Sequence, residues 1–178
     1  MTSLITYLRL LLLGMWLGVA IFFGAAVAPS LFGVLQSADL ANANELAGSI
    51  VSRLLAIINK GGFEIGLFLF VTAFFIQRTG KRLALIVEVI SIAIMAIMSA
   101  VSQWVISARM LAIRASLSVP IDQIARNDQR RIAFDTLHRY SVTIMGITIV
   151  ASLIAFFVMA HRSMRTTREI TDEANGTL

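Results

Sequence analysis

Few side chains in this sequence are suited to chemistry. It contains two histidines and no cysteine, which excludes a thiolate nucleophile, a zinc–thiolate site and an iron–sulfur cluster. His138 and His161 stand 23 residues apart, about 35 Å along a helix, so they cannot bind one ion together. Neither is part of an HxxxH, HxxE or carboxylate-pair spacing. We therefore predict no metal site, and His138 remains as a single axial ligand for a haem or pigment.

Two glutamates interrupt segments that are otherwise apolar. A charge at the bilayer centre costs about 2.5–3.5 kcal/mol on insertion scales, so each carboxylate needs a partner or a proton. Counted from the basic turn at 77–82, Glu88 lies about 9 Å deep and Glu64 about 20 Å deep, so a shared site is not expected. Each is a candidate for a proton relay or a cation site. A neutral or salt-bridged carboxylate that holds the helices together is the favoured interpretation.

A polar network inside the membrane is a further role for these residues. Its candidates, which are also the candidates for a transport path, are Asn59, Glu64, Glu88 and Gln103. His138 opens the last apolar segment and could bond to Asn59, Gln103 or Glu64 near the same membrane interface. This structural role is favoured over ligand binding.

No catalytic arrangement accompanies these side chains. The sequence has no GxSxG motif, phosphate-binding loop or GxGxxG motif. Basic and aromatic residues do not interleave as they do in nucleic-acid-binding proteins. We therefore expect neither an enzymatic activity nor a nucleic-acid partner.

The composition indicates the solvent in which the chain folds. Of its 178 residues, 58% are hydrophobic and 14% are charged, whereas soluble domains are about 45–50% apolar and about 25% charged. This excludes a soluble globular domain, a disordered chain and a disulfide scaffold. The net charge is +5, and the basic residues flank apolar runs, where they meet lipid headgroups. Membrane lipids are therefore the expected surroundings and ligands.

Runs without charge locate the membrane spans. Three are long enough alone: 10–38, 89–108 and 140–160. A fourth, 54–77, crosses only if Lys60 lies near an interface and Glu64 faces protein or water. The predicted fold is all-α, a polytopic four-transmembrane-helix bundle. Its helices are expected at about 4–36, 43–77, 82–116 and 120–162, and a polar C-terminal tail at 163–178.

The segment 109–139 is too polar for the membrane, yet its pattern is helical. Pro120 suits the first position of a helix, with Asp122 in the first turn. Helix 4 would then begin near Pro120 and run about 60 Å, twice the hydrocarbon thickness. Helices 3 and 4 are therefore predicted to extend beyond the bilayer as a helical hairpin, by about 20 Å or more. At the start of helix 2, Asn42 and Glu45 have the spacing of a capping box.

Small residues in helix 1 predict a close helix contact. Gly14 and Gly18 are four residues apart, and so are Ala20, Gly24 and Ala28. In lipid, such small residues let helices approach closely. The Gly14–Gly18 pair could join two copies or pack inside the bundle, and packing inside the bundle is favoured because every helix already has neighbours.

The numbers of basic residues on the two sides of the membrane are nearly equal, so the count alone does not decide the orientation. The side with both termini and the basic turn carries seven basic residues, and the other side carries eight. Because basic residues near membrane ends carry most weight, we expect both termini in the cytoplasm. Arg9, the following apolar stretch and residues 26–28 imitate a signal peptide, but Pro29 follows the supposed cleavage point, so a retained helix is expected.

Three stretches together resemble a known family. They are Trp16–Leu–Gly18 to Phe22–Phe23 continuing through Ala28–Pro29 to Ser37, Ala47–Gly48 with Ile50–Val51, and Phe134–x–x–Leu137–His138–x–x–Ser141. In this order they resemble the four-helix bacterial domain of unknown function 4149, which is similar to the eukaryotic transmembrane protein 205 family. The resemblance implies a polytopic protein of the bacterial inner membrane with no established enzymatic activity.

Several functions fit these expectations. The leading hypothesis is a non-catalytic accessory or scaffold subunit of a larger inner-membrane complex. Other subunits would bind through the 109–139 hairpin or the small-residue face of helix 1. The alternatives are a small transporter or efflux protein that uses Glu64, and a haem or pigment carrier with His138 as axial ligand. An enzyme acting on lipid or isoprenoid ranks last, because the usual acidic metal-binding motifs are absent.

Overall fold

The computed structural model describes residues 2–38, 40, 42–74 and 82–175. This part of the chain contains no β-strand. Within it, four helices are long and apolar enough to cross a membrane, and we number them spans 1 to 4: Leu4–Ser37, Ala43–Ala73, Arg82–Ala115 and Gln129–Met164. The prediction of an all-α, polytopic, four-helix membrane protein is confirmed.

Spans 1 and 3 each contain a π-helix, whereas spans 2 and 4 are α-helical throughout. Span 1 lies in α1 (Thr2–Phe22), a π-helix (Phe23–Val27) and α2 (Ala28–Ser37). Span 3 consists of α4 (Arg82–Val101), a π-helix (Ser102–Ser107) and α5 (Ala108–Ala115). Spans 2 and 4 lie in α3 (Ala43–Ala73) and α6 (Gln129–Asn175). The α6 backbone thus continues past the predicted end at 162. The predicted end of helix 2 at 77 and most of the basic turn lie outside the described residues.

The π-helix in span 1 explains how the helix continues through Pro29. A proline ring crowds the carbonyl four residues earlier, here that of Ala25, and removes one hydrogen bond. Ala25 lies within the π-helix, whose turn is wider than that of an α-helix. The widened turn accommodates the ring, and the helix runs on to Ser37.

The core lies between the four spans and is small. Every span contributes fully buried apolar side chains to it, among them Leu13, Leu69, Ile92, Met95 and Ala155. Only 28% of the most apolar window of each span is buried inside the protein. The remaining apolar surface faces outward, as expected where lipid chains are the solvent.

Among the described glycines, those that join α3 to α4 come closest to the backbone of another helix. A Cβ atom at Gly66 would lie 2.9 Å from the Cβ of Ala96, and one at Gly62 would lie 2.7 Å from the Oγ of Ser99. Both distances are shorter than real Cβ contacts, so only glycine permits this approach. Span 2 therefore packs closely on span 3 through small residues, and the sequence did not predict such a contact in span 2.

The two glycines of the predicted pair in span 1, Gly14 and Gly18, have different surroundings. A Cβ at Gly14 would lie 3.3 Å from the Phe156 ring of span 4, so Gly14 packs inside the bundle. At Gly18, no atom lies within 4 Å of the Cβ position, and this glycine is exposed. Of the predicted pair, one glycine packs and the other does not.

The fourth long helix begins at Gln129, not near Pro120 as predicted. The backbone is extended at Pro120 and again at Ile124, with a single 3-10 turn, Ile121–Gln123, between them. Arg131 donates to the carbonyls of Asp122 and Ile124, so these groups are bonded without a helix. Asp128 takes the capping role, because its Oδ1 accepts the N–H of Arg130 at 2.8 Å.

Helix α3 begins at Ala43, where the sequence predicted it, but without the capping box. Asn42 occupies the N-cap position and makes no side-chain capping bond. Glu45 instead lies 3.9 Å from the Nε of Arg114. The capping-box prediction is wrong because a tertiary partner for the carboxylate replaces the local one.

Two levels of charge mark the membrane thickness. Glu88 and Arg109 are separated by about 32 Å of helix, and Arg139 and Arg162 by about 35 Å, close to one hydrocarbon thickness. From this spacing we expect residues 129–138 to extend about 15 Å beyond the bilayer, less than the predicted 20 Å because the helix begins at Gln129. We call this end the head: α2, the start of α3, α5, residues 116–128 and the start of α6.

Candidate functional site

A buried charge cluster lies at the end of the bundle opposite the head. Arg9 donates through Nη2 to Glu88 Oε1 at 2.8 Å. Arg162 donates through Nη1 to the other carboxylate oxygen of Glu88. Arg9 also donates to the carbonyl of Leu69 at 3.1 Å. We call Arg9, Glu88 and Arg162 the triad.

The triad joins spans 1, 3 and 4, and the bond from Arg9 to the carbonyl of Leu69 adds span 2. Arg9 and Glu88 are 3% and 1% exposed, so both charges are removed from solvent and must be paired. Breaking a buried pair by removing one partner typically costs about 3–5 kcal/mol. Each oxygen of Glu88 forms an ion pair with an arginine, so this carboxylate holds helices of the bundle together.

A second polar contact joins spans 2 and 3 deep in the bundle. Asn59 is buried and donates to Ser102 Oγ at 2.9 Å. Ser102 begins the π-helix of span 3, and such widened turns often mark sites where a helix must present a particular side chain. Nearby, Trp16 donates to the carbonyl of Ile58 at 2.9 Å. These bonds tie span 1 to span 2 and span 2 to span 3.

The predicted site residues do not come together. Glu88 is in the triad and Asn59 bonds Ser102, whereas Glu64 is exposed on the outside of span 2. Gln103 is half-buried, and its Oε1 is buried with no hydrogen-bond partner among the described residues. His138 is exposed on α6, and no hydrogen bond joins it to another of these candidates in the described structure.

Arg114 organises the inner part of the head. Its guanidinium lies over the ring of Phe134, 5.1 Å from the centroid, in a cation–π contact. It lies against Gly48, where a Cβ would be only 2.5 Å from its Nη2. It also approaches Ser52 Oγ at 3.5 Å. One side chain of α5 thereby contacts both α3 and α6.

A chain of exposed polar side chains joins the outer part of the head. Gln36 donates to Asn44 at 2.9 Å, and Asn44 donates to Asp122 at 3.2 Å. These bonds connect α2, α3 and the connector before α6. The head contains two helical hairpins, α2 with α3 and α5 with α6, and these hydrogen bonds link one hairpin to the other.

The head also contains a groove between α5 and α6. Its volume is about 540 Å³, and it is lined by Arg109, Ala112, Ile113, Ala133, Thr136 and Leu137. The floor is mainly apolar, with one cation and one hydroxyl among the lining side chains. His138 follows this lining in sequence but is not part of it.

The first turn of α6 holds a local ion pair. Arg130 donates through Nη2 to Asp128 Oδ2 at 2.9 Å, and its backbone N–H bonds Oδ1. These bonds from Arg130 lower the pKa of the Asp128 carboxyl below its ordinary value of 3.8. The carboxylate is therefore the form that caps the helix.

Sequence analysis missed the two arginines of the triad. Both were counted among the seven basic residues on the side of the termini. His161 is exposed, but Arg162 turns inward to Glu88. The available signal was that all three charges flank apolar runs on the same side of the membrane, where a carboxylate needs cationic partners.

Comparison with known families now adds one finding. Residues 11–117, more than half of the chain, match the model of a domain of unknown function (DUF4149). The chain belongs to the DUF4149 family. No curated protein and no solved structure matches it.

The DUF4149 match begins within span 1, covers spans 2 and 3, and ends just after α5. It includes two of the three stretches that carry the resemblance, and the third, at 134–141, lies beyond it. Glu88 and the groove residues of α5 fall inside the matched part, whereas Arg9, Arg162 and α6 fall outside. The likeness to the transmembrane protein 205 family and a bacterial origin stay predictions.

Proposed function

We propose that this chain is a non-catalytic accessory subunit of a larger membrane complex, and that its head binds another subunit outside the bilayer. The observation that carries the proposal is the cross-linked head with its groove. Arg114, together with the Gln36–Asn44–Asp122 chain, holds elements from both hairpins in one arrangement. A surface ordered before binding loses less entropy when a partner binds.

The groove favours a particular kind of partner. Ile113 and Leu137 provide apolar contacts, and Arg109 provides a cation among them. An apolar segment with one acidic side chain, such as an amphipathic helix of another subunit, matches this chemistry. Exposed Ala112 and Ala133 leave room for its side chains.

Polar groups inside the spans support a structural rather than a catalytic role. Both oxygens of Glu88 pair with arginines, and Asn59 pairs with Ser102. A general acid or base must be available to a substrate, whereas these groups are used to join helices.

The alternatives receive less support from the structure. A coupling carboxylate in a transporter belongs on an internal path, but Glu64 faces outward. An axial ligand needs an enclosing pocket, but His138 is exposed and outside the lining of the groove.

The membrane and its orientation are part of the same proposal. We place the protein in the bacterial inner membrane, with both termini cytoplasmic and the head periplasmic. The support is the compact set of basic residues at 78–82, close to the ends of spans 2 and 3.

A filled groove tests the proposed role. Ala133→Trp places an indole in the groove, whereas the control Ile132→Trp adds it at a neighbouring exposed position outside the lining. Native purification in mild detergent should yield a stoichiometric partner with the wild type and the control, and none with Ala133→Trp. A partner-free wild-type protein, or a partner retained by both variants, contradicts the proposal.

A further inference from the structure

The outer side of α3 presents one continuous stripe of exposed residues. Its members are spaced four and three residues apart in alternation: Arg53, Ile57, Lys60, Glu64, Leu67 and Val71. This is the spacing by which one helix packs along another. We call these six residues the α3 stripe. No other element of the described structure covers it.

Two charges of the stripe lie inside the membrane. Gly62 packs on Ser99, which is about 16 Å along span 3 from the level of Glu88. Glu64, half a turn from Gly62, therefore lies near the middle of the roughly 30 Å hydrocarbon layer. Lys60 is one turn closer to the head, so it lies deeper than the interface position that the sequence led us to expect. Both are exposed, so in a single copy they face lipid.

These charges need partners that the single chain does not provide. Within the described residues, neither Lys60 nor Glu64 has a hydrogen bond or an ion pair, not even with each other. Lysine preceding glutamate by four residues is also the weaker order for a pair on one helix. Lipid chains cannot solvate either group, so intramembrane charges are normally paired with another part of the protein.

We propose that the α3 stripe binds a second copy of this chain about a two-fold axis along the membrane normal. Each Lys60 then pairs with Glu64 of the partner subunit. In such an interface residue i meets j and j meets i, so one adjacent lysine and glutamate give two reciprocal ion pairs. The copies are parallel, and the offset of one helical turn is within reach of two long side chains.

Charge complementarity favours a second copy over an unrelated protein. A different partner would need an acid and a base at matching depths, whereas a second copy has them by symmetry. Ile57, Leu67 and Val71 then pack against the same residues of the other copy. This inference concerns the membrane face and is independent of the proposed role of the head.

Cross-linking in native membranes tests the interface. Because the chain has no cysteine, Leu67→Cys introduces a single thiol beside the two-fold axis. Under mild oxidation it should form a disulfide-linked dimer. Ile154→Cys, an exposed position on span 4, is the matched control and should remain monomeric.

Charge reversal identifies the ion pairs. In the Leu67→Cys background, Lys60→Glu or Glu64→Lys should each reduce the cross-linked fraction by about tenfold or more, since like charges then oppose each other. The double reversal should restore it. Differently tagged single-reversal chains, expressed together, should form mixed dimers while each alone stays monomeric. Mixed dimers also show that both variants fold.

Two results would overturn the inference. One is a Leu67→Cys chain that cross-links no better than Ile154→Cys. The other is a cross-linked fraction that single reversal leaves unchanged, or that neither the double reversal nor co-expression restores.

Discussion

Arg9 and Glu88 are 79 residues apart in the sequence, yet their side chains form a buried hydrogen bond of 2.8 Å. The same carboxylate also binds Arg162, and Arg9 reaches the carbonyl of Leu69. One cluster thereby joins the first, second, third and fourth spans. In lipid, burial of apolar surface does not drive helices together, so this cluster and the glycine contact of α3 with α4 account for much of the association.

The first prediction concerns Glu88→Gln. The amide keeps the shape of the side chain but removes the negative charge that faces the guanidinium groups of Arg9 and Arg162. We expect a loss of about 3–5 kcal/mol in the free energy of unfolding, measured in detergent by the fluorescence of Trp16 and Trp104. Asp135→Asn, an exposed carboxylate on α6, is the control and should unfold with the wild type. Equal stability of all three proteins would show that the triad does not hold the bundle.

The second prediction distinguishes the two glycine contacts. Gly66→Ala brings a methyl group to about 2.9 Å from the Ala96 side chain. We expect it to separate α3 from α4 and to destabilise the protein by about 1–3 kcal/mol. Gly18→Ala has open space and replaces a helical glycine, so it should be neutral or stabilising. The opposite order of thermal unfolding temperatures would contradict this packing.

Features of the fold that depend on local sequence patterns could be predicted, whereas features that depend on contacts between distant residues could not. Charge-free runs and the roughly 30 Å membrane thickness locate the spans, because both are local properties. The start of α6 is different, because Pro120 and Asp128 each suit a helix start. Contacts of Arg131 with the connector carbonyls decide in favour of the later one.

The site shows the same division more strongly. Gly14–Gly18 and Gly62–Gly66 have one spacing, and only the assembled bundle shows that the second pair sets the closest approach. Arg162 looks equally suited to headgroups or to a buried carboxylate. Which of these it meets depends on the rotation of α6 toward span 3, and a single sequence does not encode that rotation in any local pattern.

The third prediction concerns pH and the start of α6. Arg130 lowers the pKa of Asp128, so the folded carboxyl titrates below its unfolded value of 3.8. A depressed pKa stabilises the fold at pH values above the unfolded pKa, and this contribution is lost as the pH falls through the folded pKa. Hydrogen exchange of the amides at 129–133, corrected for intrinsic rates, should therefore accelerate only below about pH 4.

Asp128→Asn is the matched control for this titration. Asparagine can still cap the helix but carries no charge, so the pH dependence at 129–133 should disappear. If the wild type and Asp128→Asn show the same acid-dependent exchange, another group controls the helix start.

The fourth prediction concerns orientation. The absence of native cysteine makes single-cysteine labelling free of background. Ser118→Cys in the exposed connector should react with a membrane-impermeant maleimide in intact cells. A cysteine added after Leu178 should react only after the membrane is opened. The reverse pattern would place the head in the cytoplasm.

Cross-linking from the groove between α5 and α6 tests the proposed docking role of the head most directly. A photo-reactive amino acid at Ala112 or Ala133, both exposed groove positions, is activated in living cells and the products are identified by mass spectrometry. We expect one and the same partner protein from both positions, and none from Ile132 outside the groove lining. No cross-linked protein from either position, or the same products from Ile132, would contradict a docking role for the head.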